Sequence, residues 1–339
     1  MIRHAAIAVL LSVLVSCAAG TGGMSSRERT PDLFPLVEQG KAGYVDRAGK
    51  WAAPPQFAAA DVFREGMARV RLAGDGAARW GFVDAAGMVA FTVEADRVFS
   101  FSDGVARVEK GGKWGFLDRT GVLVIPPRFE HALRFSEGVA SVRSEGRYGY
   151  VDTKGGWVIT PQFEGADTFS EGLARVRVKG REGFINKKGE LVIAAIFDRA
   201  LDYSGGLACV EAMGKRGYID KKGNSVIPQK YFMAYGFSEG LARAWIRGRW
   251  GFLDGGGREI IPPRFDDAGD FSEGLAAVSL GKKWGYVDKR GNPVVEIRFD
   301  AAGRFERGMA GVVMNGKFGY IDRKGVFVIP PVYDVPAGP

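Results

Sequence analysis

The sequence is dominated by a four-residue phrase, glycine–aromatic–aliphatic–aspartate, that recurs nine times, with Asn186 in place of the aspartate in one copy. The first interval between copies is 38 residues and the other seven are 34. The copies begin at Gly43, Gly81, Gly115, Gly149, Gly183, Gly217, Gly251, Gly285 and Gly319. A period of about 20 to 50 residues is typical of repeat arrays. A residue that recurs in every copy is expected to support the fold, so the repeat constrains architecture more than function.

Each repeat predicts a three-stranded antiparallel unit followed by a connector. Around Gly115, period-two alternation places Trp114 and Phe116 on one face of a strand. The segment from Asp118 to Gly121 suits a type I turn. A further strand, Val122 to Ile125, ends in two prolines, which cannot donate to a sheet ladder. The chain is therefore predicted to be all-β, with nine units of about 34 residues.

The connectors carry their own phrase, Phe-Ser-Glu-Gly, as at Phe135–Gly138. The aromatic residue is predicted to plug the space between neighbouring units, and Ser-Glu-Gly to form a turn. An alanine follows at the same place in eight copies, which indicates a crowded interior position. These alanines are Ala68, Ala106, Ala140, Ala174, Ala208, Ala242, Ala276 and Ala310.

Neighbouring units must bury each other's faces, because one short meander cannot support itself. An open β-solenoid or superhelix and a closed propeller-like ring both satisfy this requirement. Propeller blades usually have four strands and often share one blade between the chain ends. The repeats predict three strands and no split blade, so the open array is favoured over the ring. The array is expected over residues 33–334, with a tail at 335–339.

Two segments per repeat carry a family resemblance. Lys113–Asp118 and Lys283–Asp288 read Lys-Trp-Gly-aromatic-aliphatic-Asp, and Ile125–Phe129 and Ile261–Phe265 read Ile-Pro-Pro-Arg-Phe. These segments resemble the bacterial WG-repeat family, a resemblance that covers nearly the whole mature chain and implies no catalytic residue. The residues expected to carry the repeat structurally are Trp80, Trp114, Trp250, Trp284, Gly81, Gly115, Gly251 and Gly285. The Trp position is altered in five units, which are expected to pack less regularly: Ala42, Tyr148, Glu182, Arg216 and Phe318.

The N-terminal segment is predicted to be an export signal. Residues 1–16 have a basic start and an apolar run too short to span a bilayer. The run ends in Leu14-Val15-Ser16-Cys17, which looks like the lipobox of bacterial lipoproteins. The resemblance implies cleavage before Cys17, its lipidation, a flexible tether over 17–32, and location at the outer membrane. The alternative is an ordinary secretory signal and a soluble secreted or periplasmic protein.

Composition sets weak bounds on the partner. Lys and Arg number 47 against 39 Asp and Glu, a net charge of +8, which favours acidic surfaces without selecting a ligand. With Cys17 assigned to lipid, Cys209 is the other of only two cysteines and is expected to be buried and inert. Neither a metal-binding pair of His or Cys nor a phosphate-binding loop is present in the sequence, so no metal or cofactor is predicted.

Catalytic candidates are few. His131 lies in a connector and is expected to be structural. Asp266 with Asp267, or Asp84 with Asp103, are the carboxylates that an acid–base pair would need. Asp84 occupies the repeated turn position, however, so a structural role is favoured there.

A basic stripe is the sharpest functional hypothesis. In the first strand of each unit, arginine alternates with interior Ala and Val, so stacked units would place these cations in a row for an acidic polymer. A solvated face whose Arg stems cover apolar surface is favoured over the stripe, because Cys209, Ala277 and Gly311 interrupt the row. The candidate surface consists of Arg69, Arg71, Arg107, Arg143, Arg175, Arg177, Arg243 and Trp245.

Taken together, these patterns predict a non-enzymatic, lipid-anchored repeat protein of the cell envelope that presents a binding or scaffold surface. The expected partner is a protein or an anionic envelope glycan or glycolipid. The alternative is an enzyme that acts on envelope polymers, such as a glycan hydrolase. Nucleic acid is not favoured as a partner, because export and moderate basicity argue against it.

Overall fold

The computed structural model describes residues 31–74 and 79–336. Every regular element in these residues is a β-strand. In chain order the first sheets are β1 (Phe34–Glu38), β2 (Lys41–Val45), β3 (Trp51–Ala60), β4 (Ala68–Leu72), β5 (Arg79–Val83) and β6 (Val89–Glu94); then β7 (Arg97–Val98), β8 (Ala106–Lys110), β9 (Lys113–Leu117) and β10 (Leu123–Phe129); then β11 (His131–Ser136), β12 (Val139–Ser144), β13 (Arg147–Asp152) and β14 (Trp157–Phe163).

The later sheets repeat the four-stranded pattern, with one exception of three strands. They are β15 (Gly165–Ser170), β16 (Leu173–Val178), β17 (Arg181–Ile185) and β18 (Leu191–Phe197); β19 (Arg199–Ala200), β20 (Ala208–Ala212), β21 (Lys215–Ile219) and β22 (Ser225–Tyr231); β23 (Leu241–Ile246), β24 (Arg249–Asp254) and β25 (Glu259–Phe265); β26 (Asp267–Ala268), β27 (Leu275–Leu280), β28 (Lys283–Asp288) and β29 (Pro293–Phe299); and β30 (Ala301–Ala302), β31 (Met309–Met314), β32 (Lys317–Asp322) and β33 (Phe327–Tyr333).

The strands fall into two compact units. One unit combines the chain through Thr92 with the chain from Phe265 onward, and the other is Val93–Arg264. In both, each sheet is an antiparallel meander, as the repeat predicts. The connector adds a fourth strand that the sequence did not predict. It is only two residues long at Arg97–Val98 and at Arg199–Ala200, too short for an alternation to be read.

The turns explain why aspartate recurs. The Oδ1 atom of Asp118 accepts the backbone N–H groups of Thr120 and Val122 over 2.9 and 3.0 Å. Asn186 makes the same two bonds, to Lys188 and Glu190, where it replaces the aspartate. Hydrogen bonds from the turn residues also lower the pKa of Asp118, the Thr120 hydroxyl being the largest contributor. The side-chain oxygen therefore stabilises the turn, and an amide oxygen serves as well.

The core is built from the alanines and the aromatic plugs. All eight alanines predicted to occupy a crowded interior position are fully buried, which confirms that prediction. Within each unit the connector aromatic packs against an aromatic ring of the preceding repeat. The Phe135 ring lies 4.7 Å from Phe116 and the Phe305 ring 4.7 Å from Tyr286. Successive repeats within each unit are thus joined by buried contacts between two aromatic rings, one from each repeat.

The first and last repeats meet within one compact unit. The N–H of Asp334 donates to the carbonyl oxygen of Val37 over 2.9 Å. Consecutive repeats make the same bond, as from Asp300 to Val313 over 2.8 Å. An open solenoid keeps its first and last repeats apart. The favoured open array is therefore not confirmed, and the structure agrees with the propeller-type alternative.

Within residues 31–74 and 79–336, the nine repeats form eight hydrogen-bonded sheets. The difference arises in the six-stranded sheet, where β3 pairs with β2 and then, through Ala59 and Ala60, with β4. The last strand of the first repeat and the connector strand of the second are thus one continuous strand. Residues 1–30, which include the predicted signal and Cys17, lie outside the described residues, as do 75–78 of the longer second-repeat loop and 337–339 of the tail.

Candidate functional site

In the regular repeats, the residue before the repeated glycine is a tryptophan. Trp114 is 4% exposed. The Arg107 guanidinium lies 3.8 Å from the ring centre of Phe99 and 5.3 Å from that of Trp114. Trp250 repeats the arrangement, with Arg243 3.9 Å from Tyr235 and 5.6 Å from Trp250. An arginine thus lies against the aromatic side chains around this position, a favourable cation–π geometry.

Two consecutive repeats break this pattern with charged residues of opposite sign. Glu182 takes the tryptophan position on β17 and is 2% exposed. Its Oε1 accepts hydrogen bonds from Arg175 over 2.9 Å and from Arg177 over 2.8 Å. Its Oε2 accepts the N–H of Ala200 over 2.6 Å. Burial opposes the charge of Glu182, but the bond from Arg177 and the charge of Arg175 outweigh it and lower the pKa.

Arg216 takes the same position in the next repeat, on β21. Its Nε donates to Glu211 Oε2 over 2.9 Å, and its Nη1 donates to the carbonyl oxygen of Ala234 over 3.0 Å. The guanidinium lies 5.9 Å from the ring centre of Tyr235. Arg216 therefore replaces a buried indole with a fixed, partly buried cation.

A cavity of about 220 Å³ lies where these two tryptophans are absent. Ala200, Leu201, Cys209 and Val210 give it an apolar part. Its charged lining consists of Arg175, Arg177, Arg199, Arg216, Glu182 and Glu211. Four cations against two anions give a formal charge of +2. Arginine forks bind carboxylates and phosphates in bidentate geometry, so the cavity suits a small acidic group.

Arg199 is the cavity arginine whose charge is most accessible to a ligand. It is exposed and makes no ion pair with any residue that the structure describes. Its strand neighbour is Glu211, through the pairing of β19 with β20. The equivalent connector position of the preceding sheet is Gly165, which pairs with Arg177 and contributes no side chain. The cavity lining therefore includes one guanidinium that has no ion pair with a described residue.

Two partly buried carboxylates, Asp167 and Asp202, interact with Arg175 of the cavity lining. Asp167 forms an ion pair with Arg175, the arginine that also binds Glu182. Burial, and then the charge of Asp167, raise the pKa of Asp202 to about 6, although Arg175 and Arg134 oppose the shift. The Oδ1 atom of Asp202 has no hydrogen-bond partner among the described residues. Asp202 is therefore a carboxyl group with a raised pKa that interacts electrostatically with Arg175, although it does not line the cavity.

Cys209 lies in the cavity wall but is 1% exposed. Its sulfur contacts the carbonyl oxygen of Ala234 at 3.6 Å, and burial raises the pKa of the thiol to about 12. A thiol in this state is a poor nucleophile at neutral pH.

The predicted basic stripe divides into two kinds of residue. Arg69, Arg107, Arg175 and Arg243 lie against aromatic rings or carboxylates and are partly buried. Arg71, Arg143 and Arg177 are exposed. Only Arg175 and Arg177 line the cavity. Trp245 is half-buried, with its ring 5.4 Å from that of Trp250. The stripe as one continuous binding surface stays a prediction.

The residues predicted to be structural show why glycine is needed. A Cβ on Gly251 would lie 2.7 Å from the carbonyl oxygen of Ile261, and one on Gly285 2.6 Å from that of Val295. Gly115 is equally confined by the Ile125 carbonyl and the Pro127 nitrogen, whereas at Gly81 the nearest atom is a Val70 methyl at 3.2 Å. Of the tryptophans, Trp114 and Trp250 are buried and Trp80 and Trp284 are half-buried.

The catalytic candidates have local structural partners. His131 packs between Trp114 and Tyr148, with ring separations of 5.9 and 6.0 Å, and burial lowers its pKa. Asp84 accepts the N–H groups of its own turn, at Ala86 and Met88. The other three candidates differ from Asp84. Asp266 accepts the N–H of Gly281 and Asp103 accepts the N–H of Gly138, each over 2.7 Å, and Asp267 begins β26.

Among the described residues, no cluster of His, Cys, Asp and Glu is arranged to hold a metal ion. The same part of the chain contains no helix long and apolar enough to cross a membrane.

Sequence reasoning noted Glu182 and Arg216 as departures but missed the cavity, and it missed Arg199 and Glu211 altogether. A usable signal was present. Arg177 and Glu182, and then Glu211 and Arg216, are opposite charges five residues apart across a tight turn, which makes each pair cross-strand neighbours.

The family model of the WG-containing repeat matches residues 43–74, 80–114, 114–148, 148–181, 183–215, 217–248, 250–284, 284–318 and 318–335. The chain belongs to the WG-repeat family. No curated protein matches its sequence.

Several solved structures are similar to this WG-repeat chain. A eukaryotic initiation factor aligns with a TM-score of 0.65 and 13% identity, over 87% of this chain and 94% of that one. The dihydro-heme d1 dehydrogenase NirN aligns with a TM-score of 0.48 and 13% identity, over 93% and 77%. Hsv2 of Kluyvelomyces marxianus gives 0.42 and 12%, over 66% and 88%. The likeness to the initiation factor concerns the fold alone, and the other two are too distant to carry an argument.

Proposed function

We propose that this chain is a non-enzymatic binding module, and that its cavity takes an acidic group carried by a protein or a glycan. The observation that carries the proposal is the replacement of two consecutive tryptophans by Glu182 and Arg216, which leaves a cavity of about 220 Å³ with a formal charge of +2. Repeats elsewhere in the same unit fill this position with an aromatic ring. The tryptophan position is structural in those repeats, and the cavity lies where Glu182 and Arg216 replace the ring.

The ion pairs support binding over catalysis. Glu182 is held by three hydrogen bonds and Glu211 by one to Arg216, so neither is a mobile acid or base. The buried thiol of Cys209, with a pKa raised to about 12, is not an activated nucleophile. What remains available is the positive charge of Arg199 and the outer part of Arg177.

The binding test compares the cavity with the predicted stripe. Arg199→Glu reverses charge at the cavity edge, and Arg71→Glu reverses charge at an exposed arginine of the stripe outside it. Titration calorimetry with acidic peptides and acidic oligosaccharides at two salt concentrations should show weaker binding for Arg199→Glu by roughly 10- to 100-fold. Arg71→Glu should bind like the parent. Equal losses in both variants would support the stripe and contradict the cavity.

We also propose that the protein is exported and anchored to the bacterial envelope by lipid on Cys17, with the outer membrane as the favoured site. The support is the lipobox-like Leu14-Val15-Ser16-Cys17 and the absence of Asp directly after the cysteine. Metabolic labelling with a palmitate analogue should mark the parent protein and not Cys17→Ser. The variant should leave the membrane fraction. A protein that stays unlabelled in its own host would contradict the anchor.

A further inference from the structure

The cavity belongs to a longer row of equivalent positions in unit Val93–Arg264. In four consecutive sheets, the residue before the repeated glycine pairs across the hairpin with one on the preceding strand. These pairs are Arg143–Tyr148, Arg177–Glu182, Glu211–Arg216 and Trp245–Trp250. The row is therefore aromatic at both ends and charged in the middle.

The middle of the row offers both donors and acceptors. The exposed guanidinium of Arg199 has no ion pair with a described residue and can donate only. The side chain of Glu211 is 22% exposed and accepts a single bond, from Arg216, so it keeps acceptor capacity. Glu211 and Arg199 are direct cross-strand neighbours. A ligand that engages both carries an acidic group for Arg199 and a hydrogen-bond donor, such as a hydroxyl, for Glu211.

The two ends of the row offer aromatic surface. Tyr148 and Trp245 are both half-buried, whereas Trp250, on which Trp245 rests, is 6% exposed. Aromatic rings with one accessible side bind flat molecules that combine an apolar face with polar edges. Sugar rings have this character, since their C–H groups line one face and their hydroxyls point outward.

We propose that this row binds an acidic oligosaccharide. The carboxylate of one sugar lies between Arg199 and Arg216, a hydroxyl of that sugar donates to Glu211, and a neighbouring sugar stacks on Trp245. The inference rests on the proposed function and specifies its ligand. A polyphosphate has no donor for Glu211 and would meet two carboxylates, and an acidic peptide has no flat ring to stack on Trp245.

The test uses the full-length protein and four probes of equal length. Hexagalacturonate carries rings, hydroxyls and carboxylates, and its methyl ester keeps the rings without the charge. Hexaglutamate keeps the charge without the rings, and hexathymidylate carries phosphates. Calorimetry should give tightest binding for hexagalacturonate, with the ester and hexaglutamate each weaker by about tenfold or more. Tighter binding of hexaglutamate or hexathymidylate overturns the inference.

Variants then separate the two parts of the site. Arg199→Ala should weaken hexagalacturonate by roughly 10- to 100-fold, and Trp245→Ala by about three- to tenfold. Trp245→Phe keeps a ring and should recover most of the loss, which shows that the loss is not one of folding. Trp157, 42% exposed and outside the row, is the matched control, and Trp157→Ala should bind like the parent.

The two proposals fail in different ways. If hexaglutamate binds at least as tightly as hexagalacturonate, depends on Arg199 and is unaffected by Trp245→Ala, the acidic-group site stands and the oligosaccharide inference is wrong. If no charged probe binds, or if Arg199→Ala changes nothing, both proposals are wrong.

Discussion

The hairpins β8–β9 and β16–β17 have the same backbone arrangement, but the residue before the repeated glycine is aromatic in the first and acidic in the second. Trp114 fills the first, covered by Arg107 and Arg97. Glu182 occupies the second and is bound by Arg175 and Arg177. The cross-strand register is the same in both, with Val108 opposite Gly115 and Val176 opposite Gly183. The repeat geometry therefore does not require a tryptophan before the repeated glycine, and a charged residue can occupy that position.

What the two hairpins share explains why this is possible. Ala106 and Ala174 are both fully buried, and Phe116 and Phe184 each meet the aromatic plug of the next repeat at 4.7 and 4.9 Å. The alanines lie on the opposite face of the hairpin from the tryptophan position, and the phenylalanines lie two residues farther along the strand. The fold thus depends on one set of residues while another set varies.

The largest expected effect is on the free energy of unfolding, and it distinguishes the buried ring of Trp114 from the exposed ring of Trp157. Trp114→Ala should lower the free energy of unfolding by about 3–5 kcal/mol, because it removes a buried ring that its neighbours cannot replace. Trp157→Ala, at a ring that is 42% exposed, should cost less than about 1 kcal/mol. Urea unfolding followed by circular dichroism measures both. Equal losses would mean that the tryptophan position has no special packing role.

The next effect belongs to the charged region and depends on pH. Asp202 has a pKa of about 6 in the folded chain against an ordinary value of 3.8. The stability that its protonated form contributes is fully present below about pH 4 and is lost as pH rises through 6. At pH 8, Asp202→Asn should therefore stabilise the protein by up to about 3 kcal/mol. At pH 4 the variant and the parent should unfold alike. A stabilisation of equal size at both pH values would rule out a titrating carboxyl.

A smaller effect should be the same in both regions. Gly183→Ala would place a Cβ 2.5 Å from the carbonyl oxygen of Ile193, and Gly115→Ala meets the equivalent backbone. Each should cost about 1–3 kcal/mol, because backbone atoms must shift. Gly165→Ala is the control, since its nearest contact is 3.4 Å away, and it should cost little. Thermal unfolding in parallel would expose a difference between regions, which would contradict their common backbone.

The smallest expected effect concerns the exposed arginines. Arg143 lies 3.4 Å from Glu130 with its side chain 45% exposed. Arg143→Ala should change the free energy of unfolding by no more than about 0.5 kcal/mol. A larger loss in urea titrations at high salt would indicate that the aliphatic stem of Arg143, packed on Tyr148, contributes more than its charge.

Much of the repeat was predictable because its physics is local. The aspartate turns, the alternating strands and the crowded alanines all follow from spacing within one repeat. Connector strands such as Arg97–Val98 were missed because two residues show no periodicity. The longer ones, His131–Ser136 and Gly165–Ser170, were missed because a register irregularity interrupts each of them. The meeting of Asp334 with Val37 was missed because it joins residues from opposite ends of the chain.

The candidate site was predictable only in part. Arg175 and Arg177 were chosen for their place in the strand, and Glu182 and Arg216 were recognised as departures. Their combination into a cavity depends on the loss of two neighbouring rings, a property of packing that composition does not reveal. Arg199 occupies a connector position that varies from His131 to Gly165 to Asp267, so no repeat rule singles it out.

The most direct test restores the broken pattern. In Glu182→Trp/Arg216→Trp, both positions regain the residue of the regular repeats, and the indoles should fill the cavity. Replacing buried ion pairs by packed apolar side chains is often neutral or stabilising. The melting temperature should therefore stay level or rise, and the affinity for hexagalacturonate should fall at least about tenfold. A folded double variant that binds as tightly as the parent would contradict the central claim that ligand binding resides where the tryptophans are absent.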